Sequence, residues 1–187
     1  RLERGIALLY KRYPTLKLRT LDMKNFDRDA RIVLDIYNDA WSNNWGSVPM
    51  TDNEFKHLAS FLKLIVDPRV VFFLELDGKP IAFLWLAISA DTAFELYGGM
   101  NDIGQELRAN YALKWHAIRK VREWGLTRYD LGGLINDSVS NFKRGWSDSE
   151  VLLAGTFEKP LSSAYSLWDK GLPAAKKVYR KIKSLRK

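Results

Sequence analysis

The chain has 187 residues, 47% of them apolar and 13% aromatic, which is enough to bury a core and too apolar for a disordered segment. It contains no cysteine, so disulfides, thiolate catalysis and cysteine-based zinc sites are excluded. The formal charge is +8, but eight cations and no acid fall within residues 170–187, leaving 22 of the 30 basic residues against 22 acidic ones in the body.

In chain order, residues 1–13 predict a short amphipathic helix stopped by Pro14, and the alternating LKLRTLD from Leu16 predicts a strand. Val33, Ile36, Tyr37, Ala40 and Trp41 recur at helical spacing between Asp27 and Trp41, and SNNWGSVPM then breaks regular structure with Gly46 and Pro49. Thr51 followed by Glu54 matches a capping box, which opens a helix whose buried face is predicted to be Phe55, Leu58, Ala59, Leu62 and Ile65. Two β-rich runs, Val70–Leu76 and Pro80–Ile88, meet at Asp77-Gly78, a strong hairpin signal. A third strand is expected near Phe94–Tyr97, followed by a polar loop from Gly98 to Asn110.

The next helix, Tyr111–Trp124, carries Leu113, Ala117, Ile118, Val121 and Trp124 on its apolar side and His116, Arg119, Lys120 and Glu123 on its polar side. Gly125 is placed to end it. A strand at Arg128–Leu131, a short helix near Ser138–Trp146, a strand at Val151–Phe157 and a basic helix from about Tyr165 complete the prediction. Antiparallel strands leading into a strand–helix–strand unit make a mixed sheet with helices on its faces.

Several chemistries lack their parts. His57 and His116 each lie on a predicted helix without a second ligand at metal-binding spacing, so no metal site is expected. Neither a nucleophile elbow, a P-loop nor a G-x-G-x-x-G fingerprint occurs. The pairs Gly98-Gly99 and Gly132-Gly133 follow predicted strand ends, where open sheets place ligands, although a turn with positive φ would serve equally as their reason.

Three segments taken together carry a family resemblance. YDLGGL (Tyr129–Leu134), NFKRGW (Asn141–Trp146) and AGTFEKPLSSAY (Ala154–Tyr165) resemble the closing part of the Fem-type (FemABX) aminoacyltransferases. Phe94–Gly125 is similar to that family's strand, polar loop and helix, and residues 15–90 look like the opening half of a GNAT-type acyl-CoA N-acyltransferase domain more generally. The resemblance implies an α/β (α+β) fold, with a mixed, mostly antiparallel twisted sheet between helices on both faces. Residues 1–169 would form this domain and 170–187 a basic helical tail. Fem-type chains carry the domain twice, so this chain, which begins at Arg1, is expected to be either the C-terminal half of a longer protein or a degenerate relative. By position, Lys143 matches the lysine thought to act near the reacting carbonyl, Phe142 packs beside it, and Tyr97 matches an aromatic on a central strand lining the cleft. The implied ligands are a peptidoglycan-precursor amine and an aminoacyl-tRNA.

Elementary chemistry agrees with that assignment. An amine attacking an ester or thioester passes through a tetrahedral oxyanion, which a fixed ammonium such as that of Lys143 can stabilise. Asp130 or Glu158 could orient the amine or take its proton; alternatively Asp130 caps a turn at a strand end and Lys143 lies on a solvated helix. No cofactor is required beyond the acyl donor, either aminoacyl-tRNA or acyl-CoA. GNAT enzymes hold the CoA pyrophosphate on a glycine-containing loop leading into a helix. The matching place here is Gln105–Asn110, where Arg108 and Asn110 stand at the glycine positions, so weak CoA binding is expected, with Arg108 able to meet a phosphate as a side chain.

Three readings therefore stand. They are an N-acyltransferase moving an acyl or aminoacyl group to a small-molecule or peptidoglycan-precursor amine, a CoA-dependent acetyltransferase, and a catalytically silent binding module. Substrate contacts are expected from Phe142, Gly132, Gly133, Arg108 and Glu158, and catalysis from Lys143, Tyr97 and Asp130. The tail Lys170–Lys187 could meet tRNA or an anionic membrane surface, or be solvated only. No apolar run approaches the roughly 20 residues that span a bilayer, and the expectation is a cytoplasmic protein, at most peripheral to the membrane.

Overall fold

The computed structural model describes residues 2–41, 50–134, 137–162 and 164–185. The predicted break at SNNWGSVPM lies, except for Met50, outside the described residues. Two compact units divide between Ser147 and Asp148.

The first unit is built on a five-stranded sheet in the order β1-β2-β3-β4-β5. Its strands are β1 (Lys17–Thr20), β2 (Val71–Leu76), β3 (Lys79–Ser89), β4 (Thr92–Met100) and β5 (Arg128–Asp130). The first four pair antiparallel, and β5 joins β4 in parallel. The helices are α1 (Leu2–Arg12), α2 (Phe26–Trp41), α3 (Asp52–Ile65), α4 (Asp102–Glu106), α5 (Ala109–Glu123) and α6 (Asp137–Arg144). The expected mixed, mostly antiparallel sheet between helices is the one found.

Both faces of the sheet are covered, which is why Val71–Leu74 of β2 reads as a continuous apolar run rather than an alternating one. Phe72, Leu74, Leu84 and Leu86 point to one face and pack with Leu113, Ala117 and Val121 of α5. Val71, Phe73 and Phe83 point to the other and pack with Phe26 and Ile36 around α2 and with Ala59 of α3. The β2–β3 hairpin turns at Asp77 (φ 51°) and Gly78 (φ 75°), the two positive φ values that an I′ turn needs. At the sheet edge Arg19 of β1 bonds Glu75 at 2.6 Å and Asp29 of α2 at 2.6 and 3.0 Å, while its guanidinium lies 4.4 Å from the Phe73 ring centre. The buried Asp29 also accepts from the Asp22 backbone N–H at 2.9 Å, so α2 is tied to the edge strand.

The capping box forms as predicted. The Glu54 N–H donates to the Thr51 hydroxyl at 3.4 Å, and the Thr51 N–H donates to Glu54 Oε2 at 2.9 Å. The predicted stop of α5 also forms: Leu126 N–H reaches Val121 O and Gly125 N–H reaches Arg122 O, both at 3.0 Å, in a Schellman arrangement.

Three expectations are corrected. On α3, Leu58 and Ile65 are exposed, because the helix meets the core through Phe55, Ala59 and Leu62 and these two flank that stripe. The polar loop from Gly98 is instead the end of β4 followed by α4. Gly98 and Gly99 lack positive φ and stay in the strand; a Cβ on Gly99 would meet Ile36 and Phe83 at 3.1 Å, so close approach of α2 accounts for that glycine. The segment Val151–Phe157 is no strand. It has no ladder partner among the described residues, and its large side chains Val151, Leu152, Leu153 and Phe157 are exposed. It belongs to the second unit, whose regular structure among the described residues is one helix, α7 (Ala164–Leu185).

Candidate active site

The parallel ladder of β4 and β5 is short. It pairs Thr92 with Arg128, Ala93 with Tyr129 and Phe94 with Asp130, and stops there while β4 continues to Met100. Beyond Phe94 the two chains part, and the opening carries the unpaired edge of β4 on one side and residues 131–134 on the other.

A register shift sits at the same place. Trp85 pairs with Tyr97 and Leu86 with Glu95, so Leu96 is an extra residue on β4. Glu95 and Tyr97 would share a face in a regular strand. With Leu96 inserted, Glu95 turns to the α5 face and Tyr97 to the α2 face, where its ring lies 6.0 Å from Tyr37 and 5.9 Å from Trp85.

The turn after β5 is shaped by its own side chains. Gly132 takes φ 73°, and its N–H donates to Asp130 Oδ1 at 2.7 Å. The carboxylate of Asp130 thus caps the turn. Helix α6 then brings Lys143 back over it, with Nζ donating to the Gly133 carbonyl at 2.8 Å. Phe142 secures that helix, packing edge-on against Tyr111 of α5 at 5.1 Å, and Trp146 stacks on Tyr111 at 5.8 Å.

Beneath Lys143 lies a buried polar group that pattern reading missed. Lys114 of α5 is ion-paired with Glu95 of β4, with side chains only 5% and 13% exposed, and the Tyr129 hydroxyl donates to the same carboxylate oxygen at 2.7 Å. The Lys114 ammonium also faces the Phe142 ring at 5.5 Å. Burial depresses the Lys114 pKa below the usual lysine range and the charge of Lys143 adds to this, whereas Glu95 opposes both. Burial, reinforced by Glu95, drives the Tyr129 phenol far above the usual tyrosine range, so it remains a proton donor. A signal existed in the sequence: Lys114 precedes Ala117 and Val121 on the stripe that α5 buries, and Glu95 interrupts an apolar strand.

Arg108 joins α4 to α5 with left-handed backbone, φ 52° and ψ 45°. Its side chain is exposed. The loop therefore keeps the conformation a glycine favours, with a guanidinium added. Glu158 is exposed in the second unit. The structure gathers Lys143, Phe142, Asp130, Gly132 and Gly133 around one opening and puts Tyr97 on the opposite face of the sheet. Among the described residues no group of three His, Cys, Asp or Glu side chains could hold a metal ion.

Comparison with known proteins agrees with this fold. The chain is 47% identical over 62 residues to the bacterial ceramide synthase of Caulobacter vibrioides and 33% identical over 67 residues to protein YghO of Escherichia coli. These stretches are 33% and 36% of this chain but only 16% and 17% of the two relatives, so the chain spans a small part of each. Among solved structures it is similar to an aminoglycoside acetyltransferase from an uncultured soil sample, with TM-score 0.56 and 13% identity over 80% of this chain and 98% of that one. A ribosomal-protein-alanine N-acetyltransferase from Brucella melitensis biovar Abortus gives TM-score 0.57 and 9% identity over 78% and 98%. At such identities the likeness shows the fold alone. The sequence pattern of the acetyltransferase (GNAT) domain matches residues 2–144, which include every element around the opening, and the chain belongs to that family.

Proposed function

We propose that this domain moves an acyl group from acyl-CoA to a primary amine at the opening between β4 and β5. The observation that carries the reading is the placement of Lys143 over the turn at Gly132-Gly133, directly above the buried Glu95–Lys114–Tyr129 group. In the transfer, the amine nitrogen bonds to the thioester carbonyl carbon and the C–S bond breaks. The proton lost by the amine goes to the departing thiolate by way of water. Between these events the carbonyl oxygen carries negative charge, and an ammonium already held in place stabilises that charge without reorganising.

For the donor, the left-handed backbone at Arg108 supports a phosphate-bearing carrier, since the α5 entrance keeps its loop shape and gains a guanidinium. For the acceptor, the stretch shared with a ceramide synthase supports a long-chain amine, because a ceramide is the amide of one. The Fem-like YDLGGL and NFKRGW patterns support a second reading, in which the donor is aminoacyl-tRNA and the acceptor a peptidoglycan-precursor amine.

The experiment offers the full-length polypeptide acetyl-CoA, palmitoyl-CoA or charged tRNA, each with a long-chain amine or a lysine-bearing peptidoglycan precursor, and reads amide formation by mass spectrometry. Amide formed from acyl-CoA on the long-chain amine supports the first reading. Amide formed from charged tRNA alone replaces it with the second. No amide in any combination, with CoA failing to bind in calorimetry, overturns both.

A further inference from the structure

Helix α7 is divided between apolar and cationic residues. By helical spacing, Tyr165, Trp168, Leu172, Ala175 and Tyr179 recur at steps of three and four and fall on one side, bordered by Leu167 and Val178. Lys177 falls on the opposite side and Lys176 at its border, six cations and no acid lie between Lys170 and Lys183, and no acidic residue follows Asp169. The apolar side is not folded away: Leu167, Trp168, Val178 and Tyr179 are between 58% and 78% exposed. A helix with an exposed apolar stripe is suited to a nonpolar medium, while its excess of cations is suited to an anionic one. An acidic bilayer surface supplies both at one depth, with acyl chains below and phosphate groups above. Trp168 and Tyr179 also suit that depth, because each has an apolar body and a polar tip. The helix is not of the crossing kind, as no described helix is long and apolar enough to span a membrane.

We infer that α7 is an interfacial helix that docks the chain flat on an anionic membrane surface. An RNA duplex or loop would use the cations but would leave the apolar side in water, which is why the lipid surface is favoured over a polyanion.

The test is flotation of the whole chain with vesicles of phosphatidylcholine alone and of phosphatidylcholine with about one-third phosphatidylglycerol. The expected result is binding to the anionic vesicles only, weakened by salt. Each cation near such a surface contributes about fivefold to partition, so the double variant Lys176→Gln/Lys177→Gln should bind roughly 25-fold more weakly. The variant Trp168→Ser/Tyr179→Ser keeps every charge and should lose binding at least tenfold. Both variants change exposed side chains, and circular dichroism confirms that each remains folded. If the anionic vesicles are not bound, or if the serine variant binds them like the parent chain, the inference is wrong. Binding of tRNA that withstands excess anionic vesicles and ignores the serine changes would assign the helix to RNA instead.

Discussion

Lys114 on α5 and Glu95 on β4 form an ion pair that solvent hardly reaches, and they do so 19 residues apart in sequence, at the point where β4 leaves β5. A pair so placed is costly to break from one side. Removing one partner leaves the other charge buried, while removing both leaves only a packing problem. Lys114→Met or Glu95→Leu alone should therefore lower unfolding stability by about 3–5 kcal/mol, and the double variant should recover most of that loss. Urea denaturation of the four proteins gives the cycle; additive losses would show that the two charges do not depend on each other.

Lys143 stands differently. It is only partly buried and bonds a backbone carbonyl rather than a carboxylate. Lys143→Ala should leave stability within about 0.5 kcal/mol of the parent and reduce transfer about 100- to 1,000-fold, as the loss of an oxyanion donor does elsewhere. Lys143→Arg should recover part of the rate, since it keeps the charge on a bulkier, planar group. Steady-state transfer rates alongside thermal melts decide the point, and full activity in the alanine variant would return Lys143 to a surface role.

The α4 segment is pinned to β3. Asn101 Oδ1 accepts from Gly104 N–H at 2.9 Å, and a Cβ at Gly104 would come within 2.3 Å of the Ile81 carbonyl oxygen. The obstacle is backbone and cannot swing aside. Gly104→Ala should cost about 2 kcal/mol, lowering the melting temperature by roughly 4–8 °C in a chain of this size. A melt unchanged within 1 °C, on the order of the smallest shift a melt distinguishes, would mean that the α4–β3 contact is looser than drawn.

His116 is half-buried against the Phe72 ring at 5.3 Å. Burial depresses its pKa below the usual histidine range, with Lys120 and Arg119 adding to this and Glu123 opposing it. The unfolded chain therefore binds a proton at a higher pH than the folded one. The stability contributed by the neutral ring is present above about pH 6.5 and is lost as pH falls through the folded pKa. Urea midpoints measured from pH 7.5 to 5 should fall more steeply for the parent than for His116→Gln, which cannot titrate. Parallel curves would rule this out.

What could be read from the sequence was what neighbours in the chain decide. The Thr51–Glu54 box, the Asp77-Gly78 turn and the Gly125 stop each depend on hydrogen bonds within a few residues, and each formed where predicted. What stayed hidden depended on distant partners. VLLAGTF carries strand-forming residues but acquires no ladder among the described residues, and propensity without a partner makes no strand. Lys114 reads as one more surface lysine until Glu95 arrives from another element. Tyr97 was placed with Lys143 because both belong to family motifs; one inserted residue separates them. The resemblance did bring Lys143, Phe142 and the Gly132-Gly133 turn into one neighbourhood, since short motifs keep their order even when their spacing drifts.

That inserted residue, Leu96, has a kinetic consequence. It makes the unpaired end of β4 present a polar side chain to one face of the sheet and a half-exposed tyrosine to the other, just where the ladder to β5 has ended. Under the acyl-transfer reading, a donor entering over α5 and Lys143 and an acceptor entering past Tyr97 arrive from opposite directions. Such an arrangement needs no acylated enzyme as a halfway stage, so both reactants are present together when the bond forms, and initial-rate plots at several fixed amine concentrations should intersect rather than run parallel.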